Sequence, residues 1–221
     1  MQIAIDGPSG SGKSTVARLV AARLGIVYID TGALYRAVGF LGKNFGAGVD
    51  NEAALLSALD FVSLSLKFYN GVQHVYLNGQ DIGAALRTAE AGVAASAVAR
   101  FEGVRQRVVG LIRTASAGQS VVMDGRDIGT VVLPDAPVKV FLTASVEARA
   151  ARRVGELLAL GEQADIDEIK AQIQARDEQD ISRAHAPLKQ ADDAVLVDCT
   201  ELSIEETVEA ILKIIKEKGL M

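Results

Sequence analysis

The chain has 221 residues, 49% hydrophobic and 23% charged, enough to bury the core of one domain with room for an insertion. A formal charge of -5 and a pI near 5.2 exclude broad nucleic-acid or anionic-membrane surfaces, so basic residues that matter must cluster locally and meet small anions in a cleft. A single cysteine, Cys199, excludes an intrachain disulfide and a cysteine-rich zinc site; without a membrane-length apolar run or a leader pattern, the expectation is a cytoplasmic protein with no membrane partner.

In chain order, Gln2 to Asp6 (QIAID) is a short apolar run that predicts a buried strand. The turn GPSGSGKST follows from Gly7 to Thr15, and KSTVARLVAARLG then sets Val16, Leu19, Val20 and Leu24 at helical spacing before stopping at Gly25, a residue suited to a left-handed helix end. Further strands are predicted at 26–30, 120–124, 138–144 and 194–199, making five, with helical stretches between them that include those from Ser145 and from Ser203. Ser203 and Glu206 stand at capping-box spacing. The segment Ser63 to Ile82 breaks this alternation: short alternating strands are punctuated by two NG pairs, which predicts a small antiparallel insertion. The fold class is therefore α/β, a doubly wound five-stranded parallel sheet with a small antiparallel β insertion.

The glycine-rich turn carries the first chemistry. Gly7, Gly12, Lys13 and Ser14 fill the positions of G-x-x-x-x-G-K-[ST], and they do so between a strand and a helix, the setting in which that pattern holds a triphosphate. A turn with few side chains lets successive N–H groups converge on phosphate oxygens, and the helix N-terminus adds a favourable dipole. The ATP-binding set is thus Gly7, Pro8, Ser9, Gly10, Ser11, Gly12, Lys13, Ser14 and Thr15, with Lys13 reaching the outer phosphates and the Ser14 hydroxyl serving as the metal ligand for Mg2+.

A phosphate loop does not choose among GTPases, ATPases and small-molecule kinases. A guanine reader of the form N-K-x-D is missing, and VVMD ending at Asp124 is a metal-directing strand end too common to decide alone. A kinase needs a second anion site, and Arg36, Arg105, Arg126, Arg176 and Arg183 lie in loops or at helix ends beside acids or hydroxyls. Three readings stay open on the residues: a nucleotide kinase, another small-molecule kinase on the same scaffold, and a non-catalytic nucleotide-binding switch.

DTGALYRA (30–37), LRTAE (86–90), DGRDIGTVVLPDAPVKVFL (124–142) and RDEQDISRAHAPL (176–188) occur in this order with the antiparallel insertion before LRT; across nearly the whole chain they resemble bacterial cytidylate kinases. The resemblance implies ATP-dependent phosphorylation of CMP and dCMP by a monomer. It implies one kinase domain over 1–221, with a monophosphate-binding insertion at about 31–100 and a short helical lid at about 149–165. Arg36 and Arg126 resemble residues that hold the acceptor phosphate, and Ser96, Arg105 and Asp127 those that read cytosine. Thr31, Arg176 and Asp180 resemble the sugar-side contacts, with Arg183 supporting them; Thr31 keeps the hydroxyl where the family often carries serine. Lys13, Arg126, Arg149, Arg152 and Arg153 are the catalytic candidates, the last three as RAARR in the lid.

Read without the resemblance, RAARR also fits a solvated helix face, and Arg176 with Asp180 an ordinary i,i+4 ion pair. His74 and His185 lack a ligand cluster, and Cys199 reads as a small buried hydrophobe near a strand end.

Overall fold

An apolar strand that runs straight into a glycine turn and a helix sets the architecture. The computed structural model describes residues 1–159 and 161–221, with Ala89 by its backbone alone; Leu160, within the expected lid, lies outside the described residues. The elements are β1 (Gln2–Asp6), α1 (Lys13–Leu24), β2 (Val27–Asp30), α2 (Thr31–Asn44), α3 (Glu52–Asp60), β3 (Leu64–Tyr69), β4 (Val72–Leu77), β5 (Gln80–Asp81), α4 (Ala89–Val98) and α5 (Glu102–Ser116). They continue with β6 (Val121–Gly125), β7 (Val138–Thr143), α6 (Val146–Ala159), α7 (Ile166–Ile181), β8 (Val195–Asp198) and α8 (Ile204–Glu217). The five long apolar runs are thus the strands of one parallel sheet, ordered β2-β6-β1-β7-β8.

Two compact units divide the chain, Met1–Ile26 with Val121–Met221, and Val27–Ser120. In the first, β1 pairs in parallel with β6 and with β7, Asp6 lying opposite Gly125 on one side and Phe141 on the other. Ile3, Ile5, Val121, Val122 and Met123 are fully buried, which is why these strands read as unbroken apolar runs: helices cover both faces. At the edge strand β8, Val195 and Leu196 are exposed and only Val197 is buried among its apolar residues. Helix α8 buries Val208, Ile211, Leu212 and Ile215 along one face, and the capping box at its start is formed: the Ser203 hydroxyl accepts from the Glu206 N–H while Glu206 accepts from the Ser203 N–H. Helices α6 and α7 share a small apolar cluster of Ala150, Ile169 and Ile173.

The second unit holds the antiparallel insertion. Its strands β3, β4 and β5 pair in order, and the turns are Asn70-Gly71 and Asn78-Gly79, with φ of 51° and 76°, then 51° and 81°. Positive φ at both central positions matches the right-handed twist of the flanking strands, so each NG pair closes a hairpin. The Gln73 side chain on β4 holds β2 by both ends of its amide, accepting from the Asp30 N–H at 2.9 Å and donating to the Asp30 carbonyl at 3.0 Å. Among the described residues no helix is long and apolar enough to cross a membrane.

Candidate active site

The first unit gathers phosphate-binding chemistry at the carboxyl ends of β1 and β6. Gly7 follows β1 so closely beneath β7 that a Cβ there would stand 2.0 Å from the Leu142 carbonyl oxygen; only glycine fits. The loop then turns into α1, whose first residue, Lys13, is buried and donates back across the loop to the Pro8 carbonyl at 2.8 Å. Burial, and next to it the positive Arg126, bring the Lys13 ammonium down to about 7. Arg176 pushes the same way, while Asp124 and Asp180 oppose them. Ser14 donates to the Asp124 carboxylate at 2.6 Å. The Ser11 hydroxyl is buried, and its oxygen has no hydrogen-bond partner among the described residues, an orphaned polar atom of the kind a phosphate oxygen satisfies.

A second charged cluster belongs to the same unit. Asp180, one per cent exposed, accepts from the Arg126 Nε at 2.7 Å and also pairs with Arg183. Burial raises the Asp180 carboxyl, but Arg126, Arg183 and Arg176 together outweigh it and hold it below the usual carboxylate range. Asp127, next to Arg126, is buried at the start of a single wide helical turn, Ile128–Val132. The three arginines of α6 differ sharply. Arg149 is buried; it donates to the Ala144 carbonyl (3.0 Å) and the Ser9 carbonyl (2.9 Å) and pairs with Asp177 (2.7 Å). Arg152 donates to the carbonyls of Cys199 (2.5 Å) and Ser11 (3.4 Å), while Arg153 lies on the surface against Glu156. Arg149 and Arg152 therefore brace the backbone of the phosphate loop.

The second unit carries the other named residues. Thr31 opens α2 and is buried, and Asp30 caps that helix by accepting from the Ala33 N–H at 3.1 Å. Arg36, one and a half turns on, pairs with the other Asp30 oxygen at 2.5 Å. Arg105 is buried on α5, its guanidinium 5.4 Å from the centre of the Tyr35 ring and donating to the Ala99 carbonyl at 3.1 Å. Ser96 is half-buried on α4. His74 is a hairpin residue bonded to Asp81 at 2.6 Å, and Cys199 is buried.

Several acids escape a reading of the sequence. Asp177 gives no signal as the partner of Arg149, because the two are joined only by the packing of α6 on α7. Asp6 does carry a signal, the one already read at Asp124: a carboxylate closing an apolar strand, where ligands of open α/β sheets gather.

A donor set of hydroxyl and carboxylate oxygens, Ser14 with Asp124, suits a hard divalent cation such as Mg2+. Among solved structures, an uncharacterized protein from Eubacterium ventriosum has the same fold at a TM-score of 0.56 and 13% identity, covering 98% of each chain. Shikimate kinase from Bacteroides thetaiotaomicron shares it at 0.50 and 15%, again over 98% of each chain. Closer in sequence, the cytidylate kinase of Thermosipho melanesiensis is 50% identical over 98% of this chain and 97% of its own length. That of Shouchella clausii is 49% identical over 97% and 96%. The family model for cytidylate kinase matches residues 3–217, nearly the whole chain, which therefore belongs to the cytidylate kinase family.

Proposed function

We propose that the protein transfers the γ-phosphoryl group of ATP to CMP and dCMP, giving the nucleoside diphosphates. The family match over residues 3–217 carries this most directly. The geometry supports it: Ser14, beside Lys13, bonds to Asp124, two residues before the Arg126 that holds Asp180, so the donor loop and the arginine cluster share the end of β6 and can serve one pool of negative charge. On this reading residues 7–15 bind ATP, and Ser14 with Asp124 would hold Mg2+, which when bound offsets phosphate charge. Arg36 and Arg126 hold the acceptor phosphate; Ser96, Arg105 and Asp127 read cytosine; Thr31, Arg176 and Asp180 meet the sugar, supported by Arg183.

The acceptor is already an anionic phosphate, so no strong base is required and positioning with charge neutralisation does most of the work. Lys13, the loop amides and Arg126 face charge that spreads over the transferring group, and the donors are in place beforehand. Arg149, Arg152 and Arg153 belong to a lid that excludes water, because water would otherwise take the phosphoryl group. The chain works as one kinase domain with an acceptor-binding insertion, a monomer acting in the cytoplasm on small nucleotides.

A panel of CMP, dCMP, UMP and AMP with ATP and Mg2+ tests the reading. Stoichiometric CDP and dCDP with little UDP or ADP is the expected result. Nucleotide binding without diphosphate formation would overturn it.

A further inference from the structure

Asp6 is a buried acid to which the phosphoryl transfer itself gives no part. It ends β1, immediately before Gly7, and is 4% exposed. Its two oxygens accept separate backbone N–H groups far along the chain, Oδ1 from Ile128 and Oδ2 from Gly129, each at 2.7 Å. Burial pushes the Asp6 carboxyl up to about 6 in spite of those bonds, so a carboxylate at this place costs free energy that some other side chain would spare. A carboxylate is nevertheless the group that receives two N–H donors at once; an amide would accept one and turn its own donors on the other.

The two clamped amides directly follow Asp127. The Asp127 carbonyl accepts from the N–H groups of Val131 (2.9 Å) and Val132 (3.1 Å), so the segment after β6 is a closed turn held from within by backbone and from below by Asp6. Gly129 has little room where a side chain would stand: a Cβ on it would meet Lys139 Cδ at 3.1 Å and Asp6 Oδ2 at 3.4 Å, so the Lys139 stem from β7 and the Asp6 carboxylate from β1 crowd that side of the turn. Lys13 from α1 and Asp127 from the turn are the other charged groups acting on Asp6.

We propose that Asp6 is a positioning residue for base recognition: its backbone leads into the donor-phosphate loop while its carboxylate clamps the amides of Ile128 and Gly129, holding Asp127 in register with that loop. The inference rests on the reading of Asp127 as the cytosine reader and adds the residue that places it. Because the clamp acts on the turn, its loss should reach the acceptor nucleotide first and leave ATP binding, made by residues 7–15, nearly intact.

The test is Asp6→Asn, of equal shape but with one acceptor and the charge removed. The KM for CMP should rise about tenfold, the scale of one lost hydrogen bond to a charged group, with the KM for ATP within about twofold. The CMP-over-UMP ratio of kcat/KM should fall, and the amides of Ile128 and Gly129 should exchange with deuterium faster than in the wild type. A residue that only supported the fold would lower the melting temperature and raise both KM values together, and that result overturns the proposal, as does unchanged CMP selectivity. Should D6N fail to fold, Asp6→Glu, which keeps the charge and displaces both oxygens by one methylene, is read by the same criteria. Wild type that fails to prefer CMP defeats the substrate reading; wild type that prefers it beside an unaltered variant defeats only the role of Asp6.

Discussion

Lys13 shows how a single side chain acquires its chemistry from where the chain puts it. The motif names the residue, but burial and the neighbouring Arg126 are what bring its ammonium to about 7. Triphosphate oxygens favour the charged form, so ATP binding at about pH 8, where the free site is mostly neutral, should take up a proton. Calorimetry in two buffers of different ionisation enthalpy reads that uptake, and Lys13→Ala should abolish it. On the proposed mechanism the same variant should lose about a hundredfold or more in kcat while keeping its circular dichroism spectrum, since Lys13 would neutralise charge that grows in the transition state. Near-normal turnover in a folded K13A protein would remove Lys13 from the mechanism. On the proposed reading Asp127 carries base choice: it is buried next to Arg126 in sequence, and a carboxylate that meets the base would accept from the amino group of cytosine but oppose the carbonyl of uracil. Asp127→Ala should therefore lose CMP activity far more than UMP activity, narrowing a discrimination worth about 1–3 kcal/mol, in side-by-side kcat/KM values.

At the scale of elements, α6 combines two roles that its amphipathic sequence does not separate. Arg149 ties α6 to α7 through Asp177 and to the phosphate loop through Ser9, whereas Arg153 pairs with Glu156 in solvent. Arg149→Ala leaves the half-buried Asp177 without its cation and removes a buried side chain, and should cost about 3 kcal/mol, seen as a lower denaturant midpoint. Arg153→Ala should cost under about 1 kcal/mol in the same measurement, as exposed pairs do. On the lid reading, at least one of Arg149→Ala, Arg152→Ala and Arg153→Ala lowers kcat more than it weakens CMP; if none of the three moves kcat, α6 is a brace and not a lid. Helix α8 is the opposite case, wholly local in its start signal: Ser203→Ala removes the formed capping box and should cost about 1 kcal/mol. Capping boxes, NG turns and the loop-to-helix motif are legible because each is settled within a few residues. The partnership of Arg149 with Asp177, or of Asp6 with Ile128 and Gly129, is not, since these groups meet only after the sheet and its helices have packed.

For the whole molecule, if the loop at residues 7–15 holds ATP as proposed, bound nucleotide should stabilise the folded chain. ATP at a hundred times its dissociation constant should add about 2.7 kcal/mol, visible as a concentration-dependent rise in melting temperature, and a protein that shows no such shift does not use the loop for nucleotide. The sequence by itself determined the five apolar strands, the phosphate loop between β1 and α1, the inserted hairpins and, through its motifs, the family, because periodicity and turn chemistry are local properties of the chain. Strand order was decided by the tertiary structure alone: β1 pairs with β6 and β7, strands distant in sequence, and their shared carboxyl ends bring Ser14 to Asp124 and Arg126 close to Lys13. Burial came with it. The depressed lysine, the raised Asp6 and the Asp180 held charged between arginines all depend on how much water the packed chain excludes and which charges it sets side by side, quantities that no stretch of sequence contains.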